Sequence, residues 1–291
     1  MTAHFDPHRL LERHFPPIHH KYEHKDAQLY ALSLGLGFDP LDAGQLAYVY
    51  EGVTGDALRT IPTFANVLAY PGFWARDADT GIDWRQLVHA EQEIILHATL
   101  PARGHVIGQN KISALWDRSA EKGALMEQQR EIRDAPTGQL LATVKQLTLL
   151  RGNGGFGACS AGAPQKSHTI PDRKPDTVCD LQSSPQTALL YRLCGDFNPL
   201  HADPAVAKQA GFPRPILHGM ATMGIAAIAV IRTVLNWNAD QMKAMRVRFT
   251  APALPGDTLR TEMWIDNSVV TLRTTALERG VVVLNNARVD L

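Results

Sequence analysis

The stretch Met220-Ala-Thr-Met-Gly-Ile-Ala-Ala-Ile-Ala-Val-Ile-Arg-Thr-Val-Leu235 is apolar on almost every side. Only Gly224 interrupts it, so it predicts a helix, and a helix that is hydrophobic all round must be buried. The run is too short to span a membrane, and Arg232 argues further against that reading. We therefore expect one long helix at the centre of the second half of the chain.

Strand-like segments follow this helix and also fill the first half of the chain. They are separated by turns rich in glycine and proline, with Gly104 expected in one such turn. The predicted strands cover 245–250, 258–265, 269–277 and 281–289 in the second half, and 86–100, 108–116, 124–133 and 140–150 in the first. A buried helix followed by an antiparallel meander predicts an α+β fold with the sheet wrapped around the helix.

This pattern occurs twice, which suits a chain of 291 residues of which 45% are hydrophobic. We expect an N-terminal half over 1–150, a linker over 151–176 and a C-terminal half over 177–291. The linker contains Gly152-Asn-Gly-Gly-Phe-Gly157, which invites a dinucleotide-loop interpretation. No helix follows it, so the context of such a loop is missing and we interpret it as the crossing between the halves.

The charge balance excludes several classes of partner. Lysine plus arginine and aspartate plus glutamate are equal, at 29 each, so the formal net charge is zero. We therefore expect no binding to nucleic acid or to an anionic membrane. Three cysteines without paired spacing indicate a reducing compartment. The N-terminus lacks a signal-peptide pattern and the C-terminus does not read Ser-Lys-Leu, so we expect a cytoplasmic protein.

Residues 1–25 are rich in histidine and proline. Their spacing matches no established metal site and no cysteine accompanies them, so we expect no metal there. We interpret the segment as an exposed or loosely packed arm. Its histidines are His4, His8, His14, His19, His20 and His24.

Chemistry is most evident in Tyr191-Arg-Leu-Cys-Gly-Asp-Phe-Asn-Pro-Leu-His-Ala-Asp203. Asp196 and His201 lie on one tight turn, where a carboxylate and an imidazole can hold a single water for general acid–base chemistry. Asn198 could orient the water or the carboxylate. Taken alone, the same residues are also ordinary turn formers.

A second segment, Gly211-Phe-Pro-Arg-Pro-Ile-Leu-His-Gly-Met220, weighs against the purely structural interpretation. It leads into the buried helix, whose first turn leaves backbone N–H groups unpaired at the positive end of the helix dipole. Gly219 has no side chain, so a ligand oxygen could closely approach its N–H. A water-holding turn and an oxyanion-binding helix start together form a plausible active site.

These two motifs resemble the signature of the MaoC-like, or type 2, enoyl-CoA hydratase family in its two-repeat form. The resemblance covers nearly the whole chain, with weaker support from Leu87-Val-His-Ala-Glu-Gln92 and Arg151-Gly-Asn-Gly-Gly-Phe-Gly157. It implies a double hot-dog fold, in which each repeat is an antiparallel sheet around a central helix. It also implies (R)-specific hydration of trans-2-enoyl-CoA, with a substrate-binding first half and a catalytic second half.

The resemblance assigns catalytic roles to Asp196, His201, Asn198 and Gly219. Substrate and CoA contacts are expected from His89, Ala90, Arg118, Lys122, Phe197, Pro199, Leu200 and Phe249. No cofactor is implied beyond the CoA of the substrate, and a homodimer is expected. Which of Asp196 and His201 takes the first proton stays open.

Two residues depart from the family pattern. Cys194 replaces the usual serine before Gly195, a nearly isosteric change, and Ala90 replaces a glycine and could alter the fit of the substrate. A weak repeat is also present: Asp39-Pro-Leu-Asp42 matches Asn198-Pro-Leu-His201 but lacks the imidazole, so this first copy is expected to be inactive. A shortened helix around 62–70 would leave room for a long or bulky acyl group.

Other functions compatible with the sequence are a hot-dog thioesterase, a non-catalytic acyl-CoA-binding protein, and a dehydratase of the same family acting on short, branched or steroid-side-chain acyl-CoAs. A metal hydrolase built on Asp196, Asn198, His201 and Asp203 is a further alternative. It is disfavoured because four ligands from one short loop rarely close around an ion.

Overall fold

The computed structural model describes residues 4–53 and 58–291. In the first half the strands are β1 (Ile18–Tyr22), β2 (Leu87–Leu96), β3 (Gly104–Asp117), β4 (Ala124–Asp134) and β5 (Leu140–Leu150), and the helices are α1 (Pro7–Leu11), α2 (His24–Ser33) and α3 (Ala43–Leu46). In the second half they are β6 (Thr177–Gln182), α4 (Thr187–Tyr191), α5 (Pro204–Gln209), α6 (Gly219–Thr233), β7 (Ala244–Phe249), β8 (Thr258–Asp266), β9 (Val269–Ala276) and β10 (Val281–Asp290). Short 3₁₀ helices cover Glu51–Val53, Pro62–Asn66, Trp74–Arg76, Trp84–Gln86, Arg192–Cys194, Pro199–His201, Ala239–Gln241 and Leu277–Arg279.

The ten strands form one sheet in the order β1-β3-β4-β5-β2-β7-β10-β9-β8-β6. All the pairs among the described strands are antiparallel. The two halves have the same strand order when read from opposite edges, so the sheet is a duplication around its centre. Strands β2 and β7 join the halves, with Glu91 paired to Arg248 at one end of the junction and Ile95 to Ala244 at the other.

The core is organised around α6, where every residue from Met220 to Ile231 is buried. Strands β6, β7, β8 and β10 pack against this helix, as does the 3₁₀ helix Pro62–Asn66 of the first half. Gly224 lets the Leu34 side chain of the first half pack against the backbone of α6, since a Cβ at this position would lie 2.6 Å from Leu34 Cδ1. One continuous apolar cluster therefore spans both halves.

The central helix of the first half is reduced to the 3₁₀ helix Pro62–Asn66. The buried Arg130 guanidinium donates to the carbonyls of Ala65 (3.2 Å) and Asn66 (2.7 Å). It thereby satisfies carbonyl groups at the end of this short helix. The expected shortening of this helix is present.

The prediction of an exposed or loosely packed N-terminal segment is wrong about the loose packing of its described part, whereas His4, His8, His14 and His19 are exposed. Strand β1 pairs with β3 at the edge of the sheet, and Leu10 and Phe15 are buried. Arg13 forms ion pairs with Asp77 (2.6 Å) and Asp79 (2.9 Å). The segment packs because β3 needs an edge partner. The turn expected at Gly104 is also wrong, since β3 begins there.

The linker between β5 and β6 lies across the sheet. Ser160 exchanges hydrogen bonds with the backbone of Leu115, and the Ser167 hydroxyl donates to Glu91 Oε1 at 3.0 Å. The glycine-rich loop binds the chain itself, because the Gly155 and Gly157 N–H groups donate to the Asp117 carboxylate at 2.8 and 2.7 Å. These two donors are thus already occupied, which agrees with a crossing segment.

Candidate active site

Residues 196–201, called the catalytic loop below, are held in place by hydrogen bonds from the loop's own side chains. Asn198 Oδ1 accepts a hydrogen bond from the Leu200 N–H at 3.1 Å, and the Asn198 N–H donates to Asp196 Oδ1 at 3.2 Å. Pro199 then begins the 3₁₀ turn Pro199–His201, because its fixed φ suits the first helical position. Asn198 therefore shapes the turn, and Asp196 and His201 project from its two ends.

His201 is buried and its tautomer follows from its partner. The Ile216 carbonyl can only accept, so the contact of 2.9 Å places the proton on His201 Nδ1. His201 Nε2 then carries a free lone pair. Burial lowers the pKa of His201, an effect opposed by the bond to the Ile216 carbonyl and by the charge of Asp196. The ring is consequently neutral at neutral pH and can act as a base.

His218 completes the site, although sequence reasoning assigned it no role. Its ring stacks on that of His201, with 3.7 Å between the ring centroids and 28° between the planes. His218 Nε2–H donates to the Asp196 carbonyl at 3.2 Å. Burial, followed by the neighbouring His201, lowers the pKa of His218 to about 2. This histidine therefore stays neutral and fixes both members of the catalytic pair.

Gly219 is the first residue of α6 and follows its N-cap, His218. Its N–H is one of the unpaired donors at the positive end of the helix. A Cβ at this position would lie 3.0 Å from Phe249 Cε1. Only glycine thus keeps this donor open to a ligand beside the Phe249 ring.

His89 meets Phe249 from the first half, with ring centroids 4.8 Å apart. A chain of hydrogen bonds fixes it: His89 Nε2–H donates to Gln92 Oε1 at 2.9 Å, and Gln92 Nε2 donates to Asn66 Oδ1 at 3.0 Å. Burial lowers the pKa of His89 to about 4. Ala90 lies at a bulge in β2, between the pairs that its neighbours form with β5.

A pocket of about 360 Å³ lies between the two halves, beside the catalytic loop. Phe64, Val67 and Tyr70 line it from the first half, and Cys194 and Gly195 from the second. Gly195 directly precedes Asp196, so the pocket borders the site. Burial, and then the charge of Asp196, raises the pKa of Tyr70. Burial also raises the pKa of the Cys194 thiol to about 12. Phe64 of the short helix Pro62–Asn66, together with Val67 and Tyr70 after it, forms the first-half wall of this pocket.

Comparison with known proteins agrees with this geometry. A model of the MaoC like domain matches residues 166–287, and one of the MFE-2 hydratase 2 N-terminal domain matches residues 20–152. Enoyl-CoA hydratase 2, peroxisomal, of Arabidopsis thaliana is 36% identical over 96% of this chain and 94% of its own length. The chain belongs to the MaoC-like, type 2 enoyl-CoA hydratase family. The predicted family membership is confirmed.

Two further relatives extend this result. Enoyl-CoA hydratase ChsH3 of Mycobacterium tuberculosis is 36% identical over 88% of each chain. The crystal structure of a MaoC-like dehydratase from Phytophthora capsici has a TM-score of 0.84 and 29% identity, covering 97% of each chain. The α+β double hot-dog prediction is thereby confirmed for this member of the family.

The other residues expected to contact substrate lie in varied settings. Phe197 is 58% exposed, with the Arg192 guanidinium 5.0 Å from its ring centroid. Pro199 is exposed and Leu200 is partly exposed on the same loop. Arg118 and Lys122 are exposed on the β3–β4 turn, and no contact among the described residues links them to Asp196. Their proposed contacts with CoA stay a prediction.

The metal-hydrolase alternative is not supported by the donor set. Asp203 accepts hydrogen bonds from the Ala205 and Val206 N–H groups, so its carboxylate caps α5. Asp196, His201 and His218 do place ligand atoms within 4.8 Å of one another. His201 Nδ1 and His218 Nε2 are already engaged with the carbonyls of Ile216 and Asp196, however, so only one nitrogen of each ring remains for a ligand.

The first repeat retains the turn without the chemistry. Asp39 Oδ1 accepts from the Leu41 N–H at 2.9 Å, as Asn198 does in the second repeat. Asp42, at the position of His201, caps α3 by accepting from the Gly44 N–H at 2.9 Å. Trp237 packs directly over Gly44, where a Cβ would lie 2.2 Å from its ring. The first copy thus has neither an imidazole nor an open site.

No helix in the described parts of the chain combines the length and apolar character needed to cross a bilayer.

Proposed function

We propose that this protein is an (R)-specific 2-enoyl-CoA hydratase, which adds water across trans-2-enoyl-CoA and also catalyses the reverse dehydration. One observation carries the proposal: the free Nε2 of a neutral His201 lies beside the Asp196 carboxylate, next to the helix start that offers the Gly219 N–H. Hydration of a conjugated thioester requires a base, a carboxylate that binds and orients the water, and a hydrogen-bond donor for the oxyanion.

In the proposed mechanism, the thioester carbonyl oxygen accepts a hydrogen bond from the Gly219 N–H. This donor stabilises the enolate charge that develops as the water oxygen attacks C3. The Asp196 carboxylate accepts a hydrogen bond from one O–H of the water and thereby orients it. His201 Nε2 takes the other proton as the C3–O bond forms, and the imidazolium then gives that proton to C2. One water is added in all, and both side chains return to their starting state.

Asp196 is proposed as the partner that stabilises the transient imidazolium, since its charge already raises the pKa of His201. His218 and Asn198 act as positioning residues, one through the stack on His201 and the other through the loop. The pocket beside Tyr70 is proposed to hold the acyl chain, and His89 and Phe249 to line the path of the thioester.

The test follows the loss of enoyl-thioester absorbance with crotonyl-CoA and trans-2-decenoyl-CoA. Product is passed to an R-specific and an S-specific 3-hydroxyacyl-CoA dehydrogenase. We expect R product and a loss of about a thousandfold in kcat for Asp196→Asn. The matched control is Asp39→Asn, which changes the equivalent turn of the inactive repeat and should retain wild-type turnover.

Three outcomes would count against the proposal: no turnover of either substrate, an S product, or full activity in Asp196→Asn. Release of free CoA without formation of a hydroxyacyl product would indicate the thioesterase alternative. Binding of acyl-CoA without turnover would indicate the non-catalytic alternative. Higher turnover of a branched or steroid-side-chain enoyl-CoA would assign the enzyme to that class of substrates within the same family.

We also propose that the reaction needs no cofactor, because the base, the oxyanion donor and the water account for every step. Activity should survive dialysis against EDTA. Loss of activity that a divalent ion restores would contradict this and would direct attention to Asp196, His201 and His218.

A homodimer in the cytosol completes the proposal. We propose the dimer because the sheets of hot-dog proteins commonly continue across a subunit interface. Analytical ultracentrifugation at several protein concentrations tests it. A single species with the mass of one chain at every concentration would contradict it. Fluorescence microscopy of the tagged full chain tests the location.

A further inference from the structure

The pocket between the halves is lined by both apolar and polar side chains. Leu29, Phe64 and Val67 supply apolar wall, while His20 of β1 and Asp26 of α2 line the same pocket. Both polar side chains are partly buried. A pocket built only for a hydrocarbon chain gains nothing from two such groups, because their hydrogen-bonding capacity is lost when an apolar chain displaces water.

The tautomer of His20 is set by the backbone. His20 Nδ1 accepts a hydrogen bond from the Ala69 N–H at 2.9 Å, so the ring proton lies on Nε2. Burial lowers the pKa of His20, which keeps the ring neutral at neutral pH. Nε2–H makes no hydrogen bond within residues 4–53 and 58–291, which leaves it as a donor for a ligand.

Asp26 offers the complementary acceptor. Its Oδ2 accepts from the Glu23 N–H at 2.8 Å at the start of α2. Across the described chain, no hydrogen bond to its Oδ1 is present. Asp26 lines the same pocket as His20 and Cys194, so the carboxylate shares it with the donor and with the segment that leads into the catalytic loop.

We propose that His20 and Asp26 form a subsite for a hydroxyl group carried on the acyl chain, remote from the thioester. The inference rests on the proposed hydratase function and names a class of substrate for it. A hydroxyl oxygen accepts from His20 Nε2–H while its proton is donated to Asp26 Oδ1, so one group satisfies both partners. A terminal carboxylate is disfavoured by the charge of Asp26.

The experiment compares trans-2-enoyl-CoAs of increasing chain length with matched chains that carry a terminal hydroxyl or a terminal carboxylate. At the chain length that reaches the subsite, we expect the hydroxyl to raise kcat/KM about tenfold over the plain chain. The carboxylate should lower it. The ratio of hydroxylated to plain substrate is the readout, since it cancels general losses of activity.

Two variants test the assigned residues. His20→Asn can still accept from the Ala69 N–H through its amide oxygen, but its amide nitrogen lies closer to the backbone than Nε2 and does not reach the position of that donor. Asp26→Asn can still accept from the Glu23 N–H but presents an amide in place of the acceptor. Each should bring the ratio close to one. Glu12→Gln removes an exposed carboxylate outside the pocket and should retain the wild-type ratio. Thermal melting of each variant checks that the fold is intact.

The outcomes separate the two proposals. If plain enoyl-CoAs are hydrated and the hydroxyl changes nothing at any chain length, the subsite is overturned and the hydratase stands. The same holds if both variants keep the full preference. If no enoyl-CoA is hydrated by the wild type, the proposed function fails and the subsite fails with it.

Discussion

The rings of His201 and His218 lie face to face, 3.7 Å apart between centroids. His201 is anchored to the Ile216 carbonyl, and His218 to the Asp196 carbonyl. The stack thus connects the catalytic loop to the start of α6 through two neutral rings. The position of the base therefore depends on its contact with a second histidine ring.

Replacing His218 should reveal this positioning role. In His218→Ala the His201 ring loses its stacking surface, and we expect kcat to fall about a hundredfold because small displacements of a base are costly. His218→Phe keeps the stack, loses the bond to the Asp196 carbonyl and should retain more activity. Equal losses in the two variants would contradict a role for stacking. Steady-state kinetics with crotonyl-CoA make the comparison.

The pH dependence of hydration should follow His201. Its pKa lies below the ordinary value of 6.5 because of burial, so the ring stays neutral as pH falls through 6.5. We expect kcat/KM to be level through this range and to decline only at lower pH, where His201 becomes protonated. In Asp196→Asn the raising effect of the carboxylate is lost, so NMR should show the His201 ring titrating at still lower pH. An inflection above pH 6.5 would contradict the assignment.

Stability should also decline in acid, because buried histidines are neutral in the folded chain. The pKa of His89 is lowered to about 4 and that of His218 to about 2, while the unfolded value is 6.5. Below pH 6.5 the unfolded chain binds protons that the folded chain does not. Each such histidine then reduces the free energy of unfolding by about 1.4 kcal/mol per pH unit, until its folded pKa is reached. Urea titrations at several pH values measure this slope, and His89→Gln should make it shallower.

Gly219→Ala tests the oxyanion donor. The added methyl would lie 3.0 Å from Phe249 Cε1 and beside the open N–H, so it obstructs the ligand more than it disturbs the fold. We expect a loss of about a hundredfold or more in kcat. The double variant Gly219→Ala, Phe249→Leu relieves the contact with the ring. Full recovery of activity in it would show that packing, and not access to the N–H, limits the single variant.

The junction of the halves provides a stability test. Glu91 and Arg246 form an ion pair where β2 meets β7, and Glu91 is 8% exposed. Glu91→Gln leaves the guanidinium without its buried partner and should cost about 3 kcal/mol. The control is Glu93→Gln on the same strand, whose pair with Lys145 spans 3.4 Å and is more exposed. It should cost less than about 1 kcal/mol. Chemical denaturation gives both values.

Much of the fold could be predicted because its signals are local. The apolar run of α6 and the strand meanders carry their periodicity in the sequence. The edge strands β1 and β6 could not be found this way, since each is short and exists because a neighbouring strand needs a partner. Ile18-His-His-Lys-Tyr22 has no strong strand pattern of its own.

The residues of the site also differ in whether their signal is local in the sequence. Asp196, Asn198 and His201 could be singled out because they lie on one short turn. His218 stood in the recognised motif, but its role depends on a ring stack between residues that are distant in the sequence. The tautomer of His201 depends on the Ile216 carbonyl, which no spacing rule would identify. The roles of Arg118 and Lys122 stay predictions because both side chains are exposed on the turn between β3 and β4.

The turn shared by the two repeats bears on how ancestry is inferred from such motifs. Asp39 and Asn198 make the same side-chain bond to the backbone two residues on, at 2.9 and 3.1 Å. Only the second copy has a histidine at its end. The bond from the Asx side chain to the backbone therefore holds the Asx-Pro-Leu turn in both copies, with or without a catalytic residue at its end. A paralogue that retains this segment and has lost the histidine should be regarded as a scaffold and not as an enzyme.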